Sequence, residues 1–179
     1  LEDLDLSSAK IKYLNEKTFM NLKSIIDIDL SNNQIESIEA NTFNDQMAST
    51  LYRLNLSKNK LTTLCSGFLK TYTSIKILYL DGNLLKDIDV NDFFHPETNL
   101  TRLNLSSNPN MSDWIKSGKL SNMFPKTIKS FEYLSVDELI LRGANLDHLP
   151  DNVFESLNKL SSLDLSDNKL KKINKIAFK

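Results

Sequence analysis

The sequence predicts an α/β solenoid, in which a parallel β-sheet lines a concave face and short helical or irregular segments form the convex side. Apolar residues, mostly leucine, recur seven times with the spacing apolar-x-x-apolar-x-apolar across the 179 residues. An asparagine follows five of these triplets after three residues, at Asn33, Asn59, Asn83, Asn108 and Asn168. The repeats begin at residues 1, 25, 51, 75, 100, 136 and 160, so five of the six spacings are 24 to 26 residues.

Each triplet is predicted to form one short strand, because apolar and polar residues alternate in it with a period of two. The strands are expected at residues 3–6, 27–30, 53–56, 77–80, 102–105, 138–141 and 162–165. A single repeat cannot bury its apolar face alone, so neighbouring repeats stack and share one leucine core. The sheet is therefore expected to contain at least six parallel strands.

The asparagine column explains how the chain turns away from each strand although it has only 4 glycines and 4 prolines. The side-chain amide carries donor hydrogens and an acceptor oxygen, so it can satisfy backbone groups in the turn. Ala9 and Ala144 take the place of asparagine in the first and sixth repeats. Later in the repeat a phenylalanine recurs and is expected to fill the back of the coil, at Phe19, Phe43, Phe68, Phe93, Phe154 and Phe178.

This pattern resembles the leucine-rich repeat family, and in particular its 24-residue subtype with the consensus LxxLxLxxNxLxxLxxxxFxxL. The resemblance covers essentially all of residues 1–179, which we predict to be a single horseshoe-shaped domain of about seven repeats. The subtype is typical of extracellular proteins, including Toll-like receptor ectodomains and adhesion or guidance receptors. Extracellular members usually carry cysteine-stapled caps, whereas Cys65 is the one cysteine here. We therefore expect a fragment of a longer ectodomain without end caps.

Composition and motifs exclude several functions. The formal net charge of −1 gives no electrostatic reason to expect a nucleic-acid partner. No apolar run approaches 18 residues, so membrane attachment is expected only through segments outside this chain. The sequence has no P-loop, His-Glu-x-x-His or Gly-x-Ser-x-Gly motif, and His95 and His148 are far apart. We predict a binding module with no catalytic residue and no cofactor.

One interpretation of the acidic pairs on the first two strands is a calcium site. Asp3, Asp5, Asp27 and Asp29 are expected to converge on the concave face. Carboxylate oxygens suit calcium, but a solvated acidic face is the more common arrangement. We therefore predict no metal.

The concave face offers the first candidate site. Its outward residues in the middle repeats place Ile77 and Tyr79 between Arg53 and Arg102. Exposed apolar and aromatic residues ringed by arginines are typical of protein-binding hot spots. The predicted ligand-binding residues are Arg53, Ile77, Tyr79, Arg102, Glu138 and Ile140. The alternative is a set of scattered surface hydrophobics, which are common on proteins.

The fifth repeat is 36 residues long and contains an irregular insertion at about residues 109–129, which offers the second candidate. It holds the one tryptophan, Trp114, and Ser112 followed by Asp113 is expected to cap a short helix there. Loops on rigid scaffolds often bind partners, so Trp114 is a candidate partner-binding residue. The alternative is that Trp114 packs over the convex side.

Four N-glycosylation sequons begin at Asn55, Asn99, Asn104 and Asn110. We favour glycosylation at Asn99 or Asn110, which lie off the predicted strands. Asn55 and Asn104 occupy outward strand positions on either side of Tyr79 and stay open alternatives. Sugar at both of them would cover the candidate concave site.

The leading functional hypothesis is an extracellular receptor or secreted immune-recognition protein, similar to Toll-like receptors, that binds a protein or pathogen-derived ligand and signals in innate immunity. The resemblance also implies homodimerisation through the ectodomain as an arrangement to test. The alternative is a cell-adhesion or axon-guidance protein built from the same repeats. An intracellular scaffold is disfavoured because the subtype is typically extracellular, and an enzyme lacks a catalytic constellation.

Overall fold

The computed structural model describes residues 1–39, 41–65, 68–69, 71–88, 100–122, 136–155, 157 and 159–178. The strands in these residues are β1 (Asp3–Asp5), β2 (Tyr13–Leu14), β3 (Asp27–Asp29), β4 (Ser37–Ile38), β5 (Arg53–Asn55), β6 (Ile77–Tyr79), β7 (Arg102–Asn104), β8 (Glu138–Ile140) and β9 (Ser162–Asp164). Seven of them form one sheet in the order β1-β3-β5-β6-β7-β8-β9, and every pair is parallel. The predicted parallel-sheet solenoid is confirmed.

Each of these seven strands is three residues long, one residue shorter than predicted. Leu6 illustrates the reason. Its N–H still donates to the carbonyl of Asp29 at 2.8 Å, but its own carbonyl accepts from the side chain of Asn33. The strand ends where the asparagine replaces the next strand as the hydrogen-bond partner.

The core lies directly behind the sheet. The middle residues of the inner strands, such as Ile28, Leu54 and Leu78, are 0% exposed. Phenylalanines pack on one another at the back of the coils, with ring centroids 5.6 Å apart in the pairs Phe19–Phe43, Phe43–Phe68 and Phe154–Phe178. Phe93 lies outside the described residues.

The asparagine column works as predicted. Asn83 is buried, its Oδ1 accepts the N–H of Leu61, and its Nδ2 donates to the carbonyls of Leu56 and Leu80, each at 3.0 Å. The same three bonds are made by Asn33, Asn59, Asn108 and Asn168. Each amide therefore joins its own repeat to the preceding one.

A second column, which the sequence analysis did not predict, also makes the turn. We call the position of the asparagine column, which holds Ala9 and Ala144 in two repeats, the ladder position. The residue before each ladder position has a left-handed backbone, with φ between 53° and 66° at Ser8, Asn32, Lys58, Gly82, Ser107, Gly143 and Asp167. Residues with a Cβ adopt this conformation at a cost of roughly 1–2 kcal/mol, so glycine or a short polar side chain is favoured there. The signal was available as a column of Ser, Asn, Asp and Gly that only Lys58 breaks.

Short elements complete the other side of the repeats. Strands β2 and β4 pair in parallel, and 3₁₀ helices occur at Asp45–Met47, Pro109–Met111 and Lys119–Asn122. The predicted short helix is present as α1 (Ser112–Lys116), but the predicted cap is wrong. Ser112 is inside the helix, and its hydroxyl donates to the carbonyl of Asn145 at 3.2 Å.

Candidate protein-binding face

The concave face consists of the outward side chains of the seven-stranded sheet, and its middle part brings the six predicted ligand-binding residues together on β5–β8. One row is Arg53, Ile77, Arg102 and Glu138, and the next is Asn55, Tyr79, Asn104 and Ile140. Ile77, Tyr79 and Ile140 are half-buried, so neighbouring side chains hold them while part of their apolar surface faces solvent.

Both arginines of this part are already paired. Arg53 Nε lies 2.5 Å from Asp27 Oδ2, and Arg102 Nε lies 2.5 Å from Glu138 Oε2. Arg102 Nη1 also donates to the Tyr79 hydroxyl at 3.4 Å. The bond with Asp27 raises the pKa of Arg53, and the bonds to Tyr79 and Glu138 raise the pKa of Arg102. The predicted ring of arginines is therefore positioned and neutralised by the chain itself.

Hydrogen bonds that the sequence analysis did not predict cross the concave face from repeat to repeat. Asn55 Nδ2 donates to Asp29 Oδ2 at 2.9 Å. Asp81 Oδ1 accepts from the Ser57 hydroxyl at 2.6 Å and from Asn104 Nδ2 at 3.0 Å. The available signal was that Asp81 stands where the other repeats mostly have serine, at Ser7, Ser31, Ser57, Ser106 and Ser166.

A carboxylate or amide at the end of five strands closes the following turn. The Oδ1 atom accepts the N–H two residues on at Asp5, Asp29, Asn55, Asn104 and Asp164. Hydrogen bonds from Ser7 and Ser166 lower the pKa of Asp5 and Asp164, because they favour the charged carboxylate. The strand aspartates thus have a structural role.

Two shallow hollows lie on the concave face. One of about 160 Å³ is lined by Asp3, Leu4, Asp5, Asp27, Asp29 and Arg53. The other, of about 460 Å³, is lined by Ile77, Thr101, Arg102, Asp137, Glu138, Ser161 and Ser162. Within the described ranges, no group of three or more His, Cys, Asp or Glu residues is arranged to hold a metal ion. The Cys65 thiol is half-buried, and burial raises its pKa, which opposes nucleophilic activation.

The irregular insertion does not present Trp114 to a partner. Its side chain is 6% exposed and belongs to the core together with Met111, Ile115 and Leu120. The interpretation of Trp114 as a partner-binding residue is therefore corrected in favour of the packing alternative. Residues 123–129 of the insertion lie outside the described residues.

The sequons differ in how they are held. Asn110 is exposed, and its Nδ2 makes one long bond of 3.3 Å to the carbonyl of Leu84. Asn55 and Asn104 are half-buried, and both ends of each amide are hydrogen-bonded. Asn99 lies outside the described residues.

The leucine rich repeat profile matches residues 1–46, 49–109 and 135–179. The chain belongs to the leucine-rich repeat family. It is 30% identical to Toll-like receptor 3 of Bos taurus over 171 residues, which cover 93% of this chain and 18% of that protein. It is 31% identical to lumican of Gallus gallus over 172 residues, which cover 93% of this chain and 46% of lumican.

This leucine-rich repeat chain therefore spans less than half the length of these relatives. Among solved structures it resembles a chain of the Toll–Spatzle complex of Drosophila, with a TM-score of 0.64 and 21% identity, covering 99% of this chain and 25% of that one. At this identity the likeness shows the fold. Neither the family nor these relatives are enzymes. None of the helices in the described part of the chain has the length and apolar character needed to cross a bilayer.

Proposed function

We propose that this chain is a protein-recognition module of an extracellular receptor or secreted immune-recognition protein, and that its ligand binds the middle of the concave face. The observation that carries the proposal is the position of Ile77 and Tyr79 on the central strand β6. Their half-buried apolar surfaces lie between Arg53 and Arg102, whose side chains are held by ion pairs. Aromatic and arginine residues held in place at the centre of a patch dominate most protein interfaces.

The relatives support a protein ligand and leave two biological roles to compare. Similarity to Toll-like receptor 3, and to a chain of the Toll–Spatzle complex, favours ligand recognition in immunity. The alternative, a cell-adhesion or axon-guidance protein, is favoured by the 24% identity over 177 residues to human leucine-rich repeats and immunoglobulin-like domains protein 3. The gene region after residue 179 separates the two. A transmembrane helix with a Toll/interleukin-1 receptor domain supports the first role, and immunoglobulin domains support the second.

Binding by the concave face is tested with a display library of secreted proteins from the same organism. Ligands selected on the wild type are measured against Tyr79→Ala, which we expect to weaken binding by about tenfold or more, as is typical for a central aromatic. Tyr52→Ala is the matched control, because Tyr52 is a tyrosine in the neighbouring repeat that is 47% exposed and lies just before its strand. Equal losses in both variants, or no loss in either, would contradict the proposal.

The glycosylation sites are also part of the proposal. We expect sugar at Asn99 or Asn110 and an unmodified concave face, because Asn110 is exposed whereas Asn55 and Asn104 are hydrogen-bonded at both ends. Peptide mapping of protein secreted from eukaryotic cells measures occupancy at each sequon. Full occupancy at Asn55 and Asn104 would remove the concave site.

The extracellular location and the homodimer are also parts of the proposal. The location is supported by the relationship to Toll-like receptor 3 and by the four sequons. The homodimer rests on the resemblance to Toll-like receptor ectodomains and stays a prediction. Sedimentation velocity of the secreted protein over a range of concentrations measures it.

A further inference from the structure

The concave face carries a formal charge that is opposite in sign to that of the rest of the chain. Its outward strand positions hold six carboxylates and two guanidinium groups, a net charge of −4, while the whole chain carries −1. None of the lysines occupies one of these positions. The remaining residues therefore carry +3, and the acidic character belongs to the proposed binding face.

The arginines on and beside this face are paired within the chain. All three lie in a strand or two residues after one, at Arg53, Arg102 and Arg142. Arg142 Nη2 lies 2.6 Å from Asp167 Oδ2, just as Arg53 and Arg102 pair with acids of a neighbouring repeat. The outward strand positions thus offer no unpaired cation to an acidic ligand.

Three carboxylates of the first two repeats have no such partner among the described residues. The strand register places Asp3 beside Asp27 and Asp5 beside Asp29. Adjacent strands lie about 4.8 Å apart, and like charges at that spacing repel. Asp27 is relieved by Arg53, whereas Asp3, Asp5 and Asp29 form no ion pair with another described residue and line the hollow of about 160 Å³. Positive charge brought by a partner would relieve this repulsion.

We infer that the ligand of the concave face is a basic protein surface. It presents lysine or arginine side chains to Asp3, Asp5 and Asp29 and an apolar side chain to Ile77 and Tyr79. The inference rests on the proposed function and adds the chemistry of the partner. Strands β1 and β6 are three strand spacings apart in the sheet, so the two elements of the ligand are separated by roughly 15 Å. Association is expected to slow with added salt, because opposite surface potentials steer the encounter and salt screens them.

The test uses displayed random 16-residue peptides, selected on the wild-type chain, as probes. We expect the selected peptides to be enriched in lysine and arginine beside an apolar residue. The triple variant Asp3→Asn/Asp5→Asn/Asp29→Asn is expected to weaken their binding by about tenfold or more, since buried or partly buried charge pairs across interfaces couple strongly. Asp5→Asn keeps an oxygen to accept the Ser7 N–H.

The matched control is Glu16→Gln/Glu36→Gln/Asp87→Asn, which removes the same charge from exposed residues that lie off the main sheet. We expect it to change binding by less than threefold. Asp3→Lys is a second variant if the triple change lowers the melting temperature, because Asp3 makes no ion pair to any residue the structure describes. Acidic selected peptides, or equal effects of the triple variant and its control, would overturn the inference while binding still falls in Tyr79→Ala. A selection without any Tyr79-dependent peptide would instead contradict the proposed function, and the inference with it.

Discussion

Repeats three and six make the same turn with different groups. In repeat three, Asn55 accepts the N–H of Ser57, and the Asn59 amide donates to the carbonyls of Leu30 and Leu56. In repeat six, Ile140 and Ala144 occupy the two corresponding positions, so neither side chain can form such a bond. The sheet nevertheless continues through both repeats.

The backbone of repeat six differs as well. Gly143 and Asn145 are left-handed, with φ of 63° and 60°, and Ala144 lies between them. The first repeat, which also has alanine at the ladder position, likewise follows Ala9 with a left-handed residue, Lys10, at φ 60°. Among the described residues of repeat three, only Lys58 is left-handed. The two repeats show that the turn forms without these side-chain bonds, and we expect the additional left-handed residue to compensate for them.

The largest expected effect on the free energy of unfolding comes from truncating leucine side chains of the core. The carbonyl of Leu80 accepts two ladder amides and that of Leu105 accepts one, while both side chains are 0% exposed. Leu80→Ala and Leu105→Ala should each lower the free energy of unfolding by about 2–5 kcal/mol, because both leave a cavity in the same core. Denaturant titration measures the two values. If Leu105→Ala lowers the free energy of unfolding far less than Leu80→Ala, the amide that is missing at Ala144 leaves the core beside Leu105 more loosely packed. The two repeats would then not be equivalent.

Removing a ladder amide should cost less than removing a leucine. Asn83→Ala is expected to lower the free energy of unfolding by about 1–3 kcal/mol, because the buried N–H of Leu61 loses its partner and the carbonyls of Leu56 and Leu80 each lose one of two ladder amides. Asn168→Ala should cost less, since Asn168 is half-buried and its backbone partners reach water more easily. An unchanged denaturation midpoint for Asn83→Ala would show that repeat four could have used alanine without compensation.

Asn145 is the additional left-handed residue of repeat six. Asn145→Ala should destabilise the chain by roughly 1 kcal/mol, because alanine tolerates the left-handed region less well than asparagine. Asn145→Gly should be close to neutral, since glycine adopts positive φ readily. Gln34→Ala is the control at the corresponding position of an intact repeat, whose φ is not positive. Equal melting temperatures for Asn145→Ala and Gln34→Ala would show that backbone compensation is unimportant.

The smallest expected effect concerns the carboxylate that closes the turn of the first repeat. Bonds from Ser7 lower the pKa of Asp5 below its ordinary value of 3.8. The stabilisation is therefore complete above that value and is lost as the pH falls through the lower folded-state pKa. In thermal melts from pH 7 to pH 2.5, the wild type should lose more stability below pH 4 than Asp5→Asn, whose amide does not titrate. Parallel curves for the two proteins would contradict this role.

The sequence was sufficient to predict the strands and the asparagine ladder, because both consist of residues that recur at a fixed spacing. Leu54, Leu78 and Leu103 must share one face, and Asn83 recurs at a fixed distance from them. The same alternation placed Ile77 and Tyr79 outward on the central strand. These inferences depend on spacing, which a single sequence displays directly.

Other features depend on which side chain meets which across a repeat boundary. The pairing of Arg53 with Asp27 rather than with a ligand is decided by long side chains in three dimensions. The prediction that Trp114 binds a partner was wrong. The insertion interrupts the repeat period, so the repeat pattern does not predict which way the Trp114 side chain points. Once the register is lost, the sequence leaves both a partner-binding loop and packing of Trp114 open, and the structure shows that Trp114 is buried.

The bond between Ser57 and Asp81 has a consequence for the order of events during synthesis. Ser57 is the hydroxyl residue of the Asn55 sequon, it is buried, and its hydroxyl donates to Asp81, 24 residues further along the chain. At an elongation rate of about 5–20 residues per second, Asp81 is added roughly 1–5 seconds after Ser57. In a secreted chain, we expect docking of the fourth repeat to withdraw the sequon from the transferase. The glycan state of Asn55 would then record relative rates, and slower translation or faster stacking of that repeat would leave a different molecule encoded by the same gene.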